Sequence, residues 1–505
     1  MPHSLLTASL DTVLPFLQLV CNHSLQSGVL PSSEKHATIT PIVKKQGLDP
    51  DCAANYRPVS NLTFLSKLIE RLVCCQLSQY LGTNALYSPL QSAYRQYHST
   101  ESATLKVASD VFEAMDAGKV TILALLDLSA AFDTVDHDIL IHRLSHSYGI
   151  GGTALSWFRS FLTDRTQSVS FKGQQSTRST LTSGVPQGSV SGPILFTMYT
   201  ADVVRIAHHY GVNIHCYADD LQLYIHCLPG DADAAVARLV NCIDAISSWL
   251  KENRLKMNPD KTQAIWLGSR QQLAHVDNKP MHLLDGTVIE LSTSVRNLGV
   301  TFDSTMTMAN HVSAVTRSSF YQLRQLRVIR RCLTDDAAAA LVHALVSSRV
   351  DYCNALLYGA SQLVTRRLQA VINSAARLIT GVGRFDHITP VLRDVLHWLP
   401  VEQRVQYKIA LLTYKCLHGC APQYLSEHCI TLHDQGGRYQ LRAATHGDLV
   451  LPRTRTRLFG PRSFHSSAPI VWNSLPVHIR DSSLTLGQFK QRLKTHLFNI
   501  AFNTV

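Results

Sequence analysis

One stretch constrains the rest of the chain: residues 212–226, VNIHCYADDLQLYIH. Apolar side chains at Val212, Ile214 and Cys216, and again at Leu221, Leu223 and Ile225, alternate with a period of two on either side of a centre. That pattern predicts two strands meeting at a tight turn. The turn carries Tyr217, Ala218, Asp219 and Asp220. Two adjacent carboxylates at a hairpin tip repel each other and gain nothing from packing. The arrangement makes sense with a divalent cation, which hard oxygen ligands suit. The alternative is an ordinary Asp-Asp turn, since Asp is a common turn residue.

A third carboxylate comes from upstream. Residues 120–126, VTILALL, read as a strand buried on both faces. The strand delivers Asp127 at its end, which taken alone is a strand-to-turn junction. Together with Asp219 and Asp220 it completes a set able to hold two Mg²⁺ ions about 3.5–4 Å apart, an arrangement that serves in-line attack on a phosphate. Phe132, five residues after Asp127, is either core or a ring that stands beneath a sugar and clashes with a 2′-hydroxyl. Asp133, Asp136, His137 and Asp138 read as caps of the next helix.

Composition limits the classes. The chain has 505 residues, is 45% hydrophobic and carries a net charge of +11. A length prior of ~150 residues per domain gives about three or four domains. Large cores are within reach, which excludes global disorder, and the basic balance suggests a polyanionic partner. The 12 cysteines follow no framework spacing. They read as reduced thiols of an intracellular protein, with a zinc site as the alternative. No apolar run approaches the ~18 residues of a membrane span. The start contains Asp11 and lacks a basic region, while Leu6, Leu10, Val13 or Leu14, and Leu17 follow helical spacing. A packed amphipathic helix is expected there rather than a signal peptide.

Other stretches carry candidate ligand contacts. Residues 37–45 read as a strand, followed by a helix that Asn61 can cap. Arg57, Lys67 and Arg71 lie around that loop and helix and could hold a triphosphate, or be solvated surface charges. A second helix is expected after Arg95, capped by Ser99 or Thr100. Residues 182–204 hold a glycine loop in which Gly184, Pro186, Gly188 and Gly192 let backbone approach a ligand. Gln187 is the side chain there that could contact a base or sugar, although a purely structural turn accounts for the loop as well. Ser191 suits the cap of the next helix. A helix over 232–252 follows, then Lys261 before a strand.

The blocks NYRPVSNLTFLSKLIERLV, QSAYRQYHSTESA, LLDLSAAFDTVDHDIL, SGVPQGSVSGPILFTMYTADV and CYADDLQLYI occur in this order. Together they resemble the reverse transcriptase of LINE-type (non-long-terminal-repeat) retrotransposons, near the jockey and chicken-repeat groups. The resemblance extends over roughly residues 10–500. It implies an α+β right-hand polymerase: an N-terminal helical extension over 1–36, fingers over 37–118, a palm with an antiparallel sheet over 119–305, a helical thumb over 306–384, and a mostly helical basic region over 385–505. Fingers and palm together make the reverse transcriptase domain, about residues 37–305.

The same resemblance assigns metal ligation to Asp127, Asp219 and Asp220, sugar discrimination to Phe132, and a nucleotide or template contact to Gln187 beside Gly188. Arg57, Lys67 and Arg71 match basic finger positions only approximately. Lys261 matches a lysine that protonates departing pyrophosphate, or is a surface lysine after a turn. Ser191 departs from the usual Leu, which should alter packing more than chemistry. Residues 296–303 resemble the short hairpin that grips the primer end.

The implied activity is RNA-directed DNA synthesis with two Mg²⁺ ions (Mn²⁺ as a substitute), an RNA template, a DNA primer and dNTPs. Arg317, Arg324, Arg327, Arg330 and Arg331 give the thumb the charge a duplex backbone attracts. The last region mixes basic residues with Tyr439, Phe459, Phe464 and Trp472, which fits RNA contact or buried aromatics equally. The expectation is a truncated element protein without an endonuclease, needing nuclear access and lacking a clear import signal. The rival class is a catalytically silent remnant that only binds nucleic acid. A viral RNA-dependent RNA polymerase is disfavoured by Phe132, which should exclude ribonucleotides.

Overall fold

A computed structural model describes residues 7–45, 47–129, 131–433 and 447–503. In chain order the first elements are α1 (Leu10–Ser27), β1 (His36–Val43), β2 (Tyr56–Asn61), α2 (Phe64–Thr83) and α3 (Thr100–Asp116). Then come β3 (Val120–Leu126), β4 (Leu128–Ser129), α4 (His137–His146), α5 (Gly152–Leu162), β5 (Arg165–Phe171), β6 (Gln174–Gln175) and β7 (Ser179–Leu181). They are followed by α6 (Gly192–Tyr199), α7 (Val203–His209), β8 (Asn213–Tyr217), β9 (Asp220–Cys227), α8 (Ala232–Glu252), β10 (Lys256–Met257) and β11 (Gln263–Leu267). A hairpin of β12 (Ser294–Asn297) and β13 (Val300–Asp303) leads to the helices α9 (Ala309–Ile329), α10 (Asp335–Val342), α11 (Gln362–Thr380), α12 (Val401–Leu417), α13 (Gln423–Ser426), α14 (Phe464–Asn473) and α15 (Leu486–Phe502).

The chain forms two compact, interleaved units. One holds Met1–Tyr94, Leu126–Leu221 and Asn241–Lys261; the other holds Arg95–Leu125, Gln222–Val240 and Thr262–Val505. In the first, β1 pairs antiparallel with β2, Thr38 opposite Asn61, and parallel with β5, His36 opposite Thr166. The expected strand near residues 37–45 is therefore present. The cap expected of Asn61 is not: Asn61 ends β2, and Thr63 caps α2 by accepting from Ser66 N. Both residue types can cap, and the ladder takes Asn61 first. Ser99 caps α3 in a box closed by Ser102, and Asp136 caps α4.

A four-stranded sheet has the order β11-β3-β9-β8. β3 lies inside it with five of its seven positions fully enclosed from Val120 to Ala124, as its near-unbroken apolar sequence requires. Trp157, Phe158 and Phe161 of α5 are core. The amphipathic packing expected of α1 is partial: Val13 and Leu17 are half-buried, and only Cys21 and Ser24 near its end are fully buried. Leu10, Leu14, Phe16 and Leu19 are exposed, and Leu6 lies outside the described residues.

The second unit has one continuous core running from Leu105 of α3 through Phe302 and Leu368 to Phe489 and Leu497 of α15. Phe464 and Trp472 belong to it, so for these two aromatics burial is the outcome. Phe459 is half-buried, and Tyr439 lies outside the described residues. Among the described residues no helix is long and apolar enough to cross a membrane.

Candidate active site

The site is built within the first unit, at the end of β3 and the turn between β8 and β9. β3 ends at Leu126 and delivers Asp127, half-buried. The β8–β9 turn presents Asp219 half-buried and Asp220 exposed. The turn needs a left-handed residue, Ala218 at φ +57°. Gln91 holds it there: its side-chain oxygen accepts from Ala218 N at 3.0 Å and from Ala93 N at 3.0 Å. The chain at Leu90–Ser92 runs beside β8, with Cys216 N donating to Leu90 O and Ser92 N to Cys216 O.

The three carboxylates share one electrostatic environment. Asp220 is pushed up to about 6, first by burial, then by the charges of Asp219 and Asp127, with Lys261 opposing. Asp219 is also raised, first by burial and then by Asp127, against the pull of its own backbone amide, Lys261 and Arg57. Lys261 Nζ sits 2.8 Å from Asp127 Oδ2. Asn258 N donates to Asp127 O at 2.8 Å, which keeps the β4–β10 strip beside the carboxylate. Neighbouring carboxylates that raise the proton affinity of Asp219 and Asp220 mark a site short of positive charge. A hard divalent cation is the counter-charge that fits it.

The glycine loop is held by backbone contacts to the segment that follows β4. Gly184 N donates to Val135 O at 2.7 Å and Val185 N to Phe132 O at 2.9 Å. Gly188 sits at φ +125°, and a Cβ there would lie 2.5 Å from Ser60 O, so only glycine lets the loop lie against β2. Ser60 N donates to Gln187 O at 2.7 Å in the same contact. The Gln187 side chain donates to both oxygens of Asp133 at 2.9 Å. Phe132 is half-buried and stacks on Phe196 of α6, centroids 4.5 Å apart at 24°. A cavity of about 380 Å³ lies behind the loop, lined by Asp133, Arg165, Gly184 and Gln187 among others, and none of the three carboxylates reaches it.

The basic residues divide. Arg57, exposed on β2, is close enough to lower Asp219. Lys67 and Arg71 lie on α2, half-buried and exposed, and among the described residues no ion pair joins them to the carboxylates. Between them Glu70 does what the sequence did not mark. It is fully buried and its carboxylate accepts from Val190 N at 2.8 Å and Ser191 N at 3.0 Å, at the start of α6. A carboxylate suits a helix N-terminus. Gln91 and Asn258 were missed as well. Their partners are backbone groups and a carboxylate remote in sequence, and no local spacing signals either residue.

Residues 42–302, just over half of the chain, match the reverse transcriptase (RNA-dependent DNA polymerase) family. A probable RNA-directed DNA polymerase from transposon BS of Drosophila melanogaster is 28% identical over 77% of this chain and 43% of that protein. The RNA-directed DNA polymerase from the mobile element jockey of the same organism is 28% identical over 61% of this chain and 33% of its own length. This chain thus spans less than half the length of these two curated relatives. A solved apo telomerase from Candida tropicalis shares 11% identity over 75% of this chain and 63% of its own, at a TM-score of 0.39, too loose a superposition to add to the assignment. The family's fold is the right-hand polymerase, its members generally use divalent metal ions, and this chain belongs to it as a reverse transcriptase.

Proposed function

We propose that this chain is the polymerase part of a non-LTR retrotransposon protein, an RNA-directed DNA polymerase that extends a DNA primer with dNTPs on an RNA template. The observation that carries the reading is the three-carboxylate cluster, in which Asp219 and Asp127 raise the proton affinity of Asp220. Asp127, Asp219 and Asp220 would hold two Mg²⁺ ions, or Mn²⁺ in their place. When bound, the ions supply charge that favours the ionised primer hydroxyl and stabilises the leaving pyrophosphate.

The chain's own residues have separate tasks in this reading. Lys261 holds a proton at Nζ beside Asp127 and can give it to the departing pyrophosphate. Phe132, braced by Phe196, excludes a 2′-hydroxyl. Gln187 exchanges its Asp133 contact for a base or sugar, and Gly188 keeps backbone open to the same ligand. Arg57 supplies charge for the triphosphate, with Lys67 and Arg71 in a longer-range role. Fingers over 37–118, palm over 119–305, thumb over 306–384 and a nucleic-acid-binding region over 385–505 complete the assignment. Action on genomic DNA requires access to the nucleus.

Primer extension by the purified chain tests this, with a poly-rA template, an oligo-dT primer, dTTP and Mg²⁺, beside an Asp219→Asn/Asp220→Asn variant. Extension by the wild type that disappears in the variant supports the polymerase and its carboxylates together. Salt-sensitive binding without extension favours the silent remnant.

A further inference from the structure

The second unit gathers Glu113, His428 and His465. Glu113 lies near the end of α3, His428 just past α13, and His465 in the first turn of α14. Their ligand-type atoms all lie within 4.8 Å of one another, and each residue is half-buried. The imidazole rings are 5.0 Å apart at 37°, both beside one carboxylate.

His465 stands at ion-pair distance from the carboxylate when its ring is protonated, without a close hydrogen bond. His465 Nδ1 is 3.8 Å from Glu113 Oε2, beyond hydrogen-bond range. Two ligands on one ion at bonds of 2.0–2.2 Å stand roughly 3–3.5 Å apart, so small side-chain rotations close the set around a cation. The carboxylate is held for such a role. Its other oxygen accepts from Ser109 Oγ at 3.1 Å, and that hydroxyl in turn accepts from Phe464 N at 2.9 Å. Outer contacts of this kind orient metal ligands. The same helix is fastened to the C-terminal segment elsewhere: Glu101 pairs with Lys408 at 2.8 Å, Tyr424 Oη donates to Ser102 Oγ at 3.0 Å, and Asp116 accepts from Thr456 N at 2.7 Å.

We propose that Glu113, His428 and His465 bind one Zn²⁺ ion, with a solvent molecule in the fourth position, and that the ion clips α3 to the C-terminal segment. Two imidazoles and a carboxylate are a donor set zinc accepts, whereas Mg²⁺ prefers oxygen alone. The clip closes loops of several hundred residues, where a crosslink restricts the unfolded chain most.

The test uses the full chain, stripped with chelator and returned to Mg²⁺ so that the oxygen-donor site is satisfied. Zn²⁺ titration should show about one tight equivalent, and zinc should raise the melting temperature. His428→Gln and His465→Gln should each weaken uptake at least ~10-fold. Co²⁺ in place of zinc should give ligand-field bands without a thiolate charge-transfer band. Uptake equal in wild type and variants, a thiolate band, or no tight uptake by the wild type overturns the proposal. Should a variant fail to fold, the wild-type cobalt spectrum decides alone.

Discussion

Asp220→Asn should stabilise the metal-free protein while removing its response to Mg²⁺. In the folded chain the Asp220 carboxyl rises from its ordinary 3.8 to about 6, through burial and the charges of Asp219 and Asp127. For a fully enclosed group that rise is equivalent to about 3 kcal/mol. Solvent reaches Asp220, so about 1 kcal/mol is the discounted figure. A raised carboxyl binds its proton more tightly in the folded state than in the unfolded one. Stability therefore falls as pH rises from about 4 through about 6, and the full cost is present above that window. Asparagine mimics the neutral form. In chelator at about pH 8 the variant should be more stable by about 1 kcal/mol, and near pH 4 the two proteins should match. For a chain of this size that is a melting shift of about 1–2 °C. Added Mg²⁺ at about ten times its dissociation constant should then stabilise the wild type by about 1.4 kcal/mol and the variant much less. Thermal melts across pH, with and without Mg²⁺, measure all of this. An Asn variant less stable than wild type in chelator at high pH, or one equally stabilised by Mg²⁺, refutes the reasoning.

Gly188→Ala places a methyl group 2.5 Å from Ser60 O at a φ of +125°. It should cost about 1–3 kcal/mol in urea unfolding and raise the KM for dNTP. Phe132→Val should increase ribonucleotide incorporation at least ~10-fold, since a single steric contact of this kind is equivalent to ~1–3 kcal/mol; single-nucleotide extension with rNTP and dNTP reads it directly. Gln91→Leu removes the acceptor for the buried Ala218 N and should destabilise by about 1–3 kcal/mol. Its loss of extension should exceed its loss of stability, because the strained turn carrying Asp219 and Asp220 is what it releases.

Much of the architecture was legible because it repeats locally. Period-two alternation around Asp219 and Asp220 marked β8 and β9, and the apolar run before Asp127 marked an enclosed strand. The helix expected over 232–252 is α8, residue for residue. Where two residues of similar chemistry competed, the local signal failed. Asn61 and Thr63 can both cap, and pairing of β2 with β1 leaves the task to Thr63. The leucines of α1 have helical spacing, yet spacing does not say what covers them, and several face solvent.

By itself the sequence determined the class of chain: an α+β polymerase fold of the reverse transcriptase family, with its three carboxylates named in advance. Strand alternation, turn chemistry and ordered motifs are local properties, and local properties survive without coordinates. Only the tertiary structure decided what surrounds those residues. It brought Gln91 to the turn from more than a hundred residues away, seated Glu70 on the start of α6, and set Lys261 against Asp127. It also sent Phe464 and Trp472 into the core and gathered Glu113, His428 and His465. Such contacts depend on burial and on backbone groups remote in sequence. Neither leaves a period or a spacing to read.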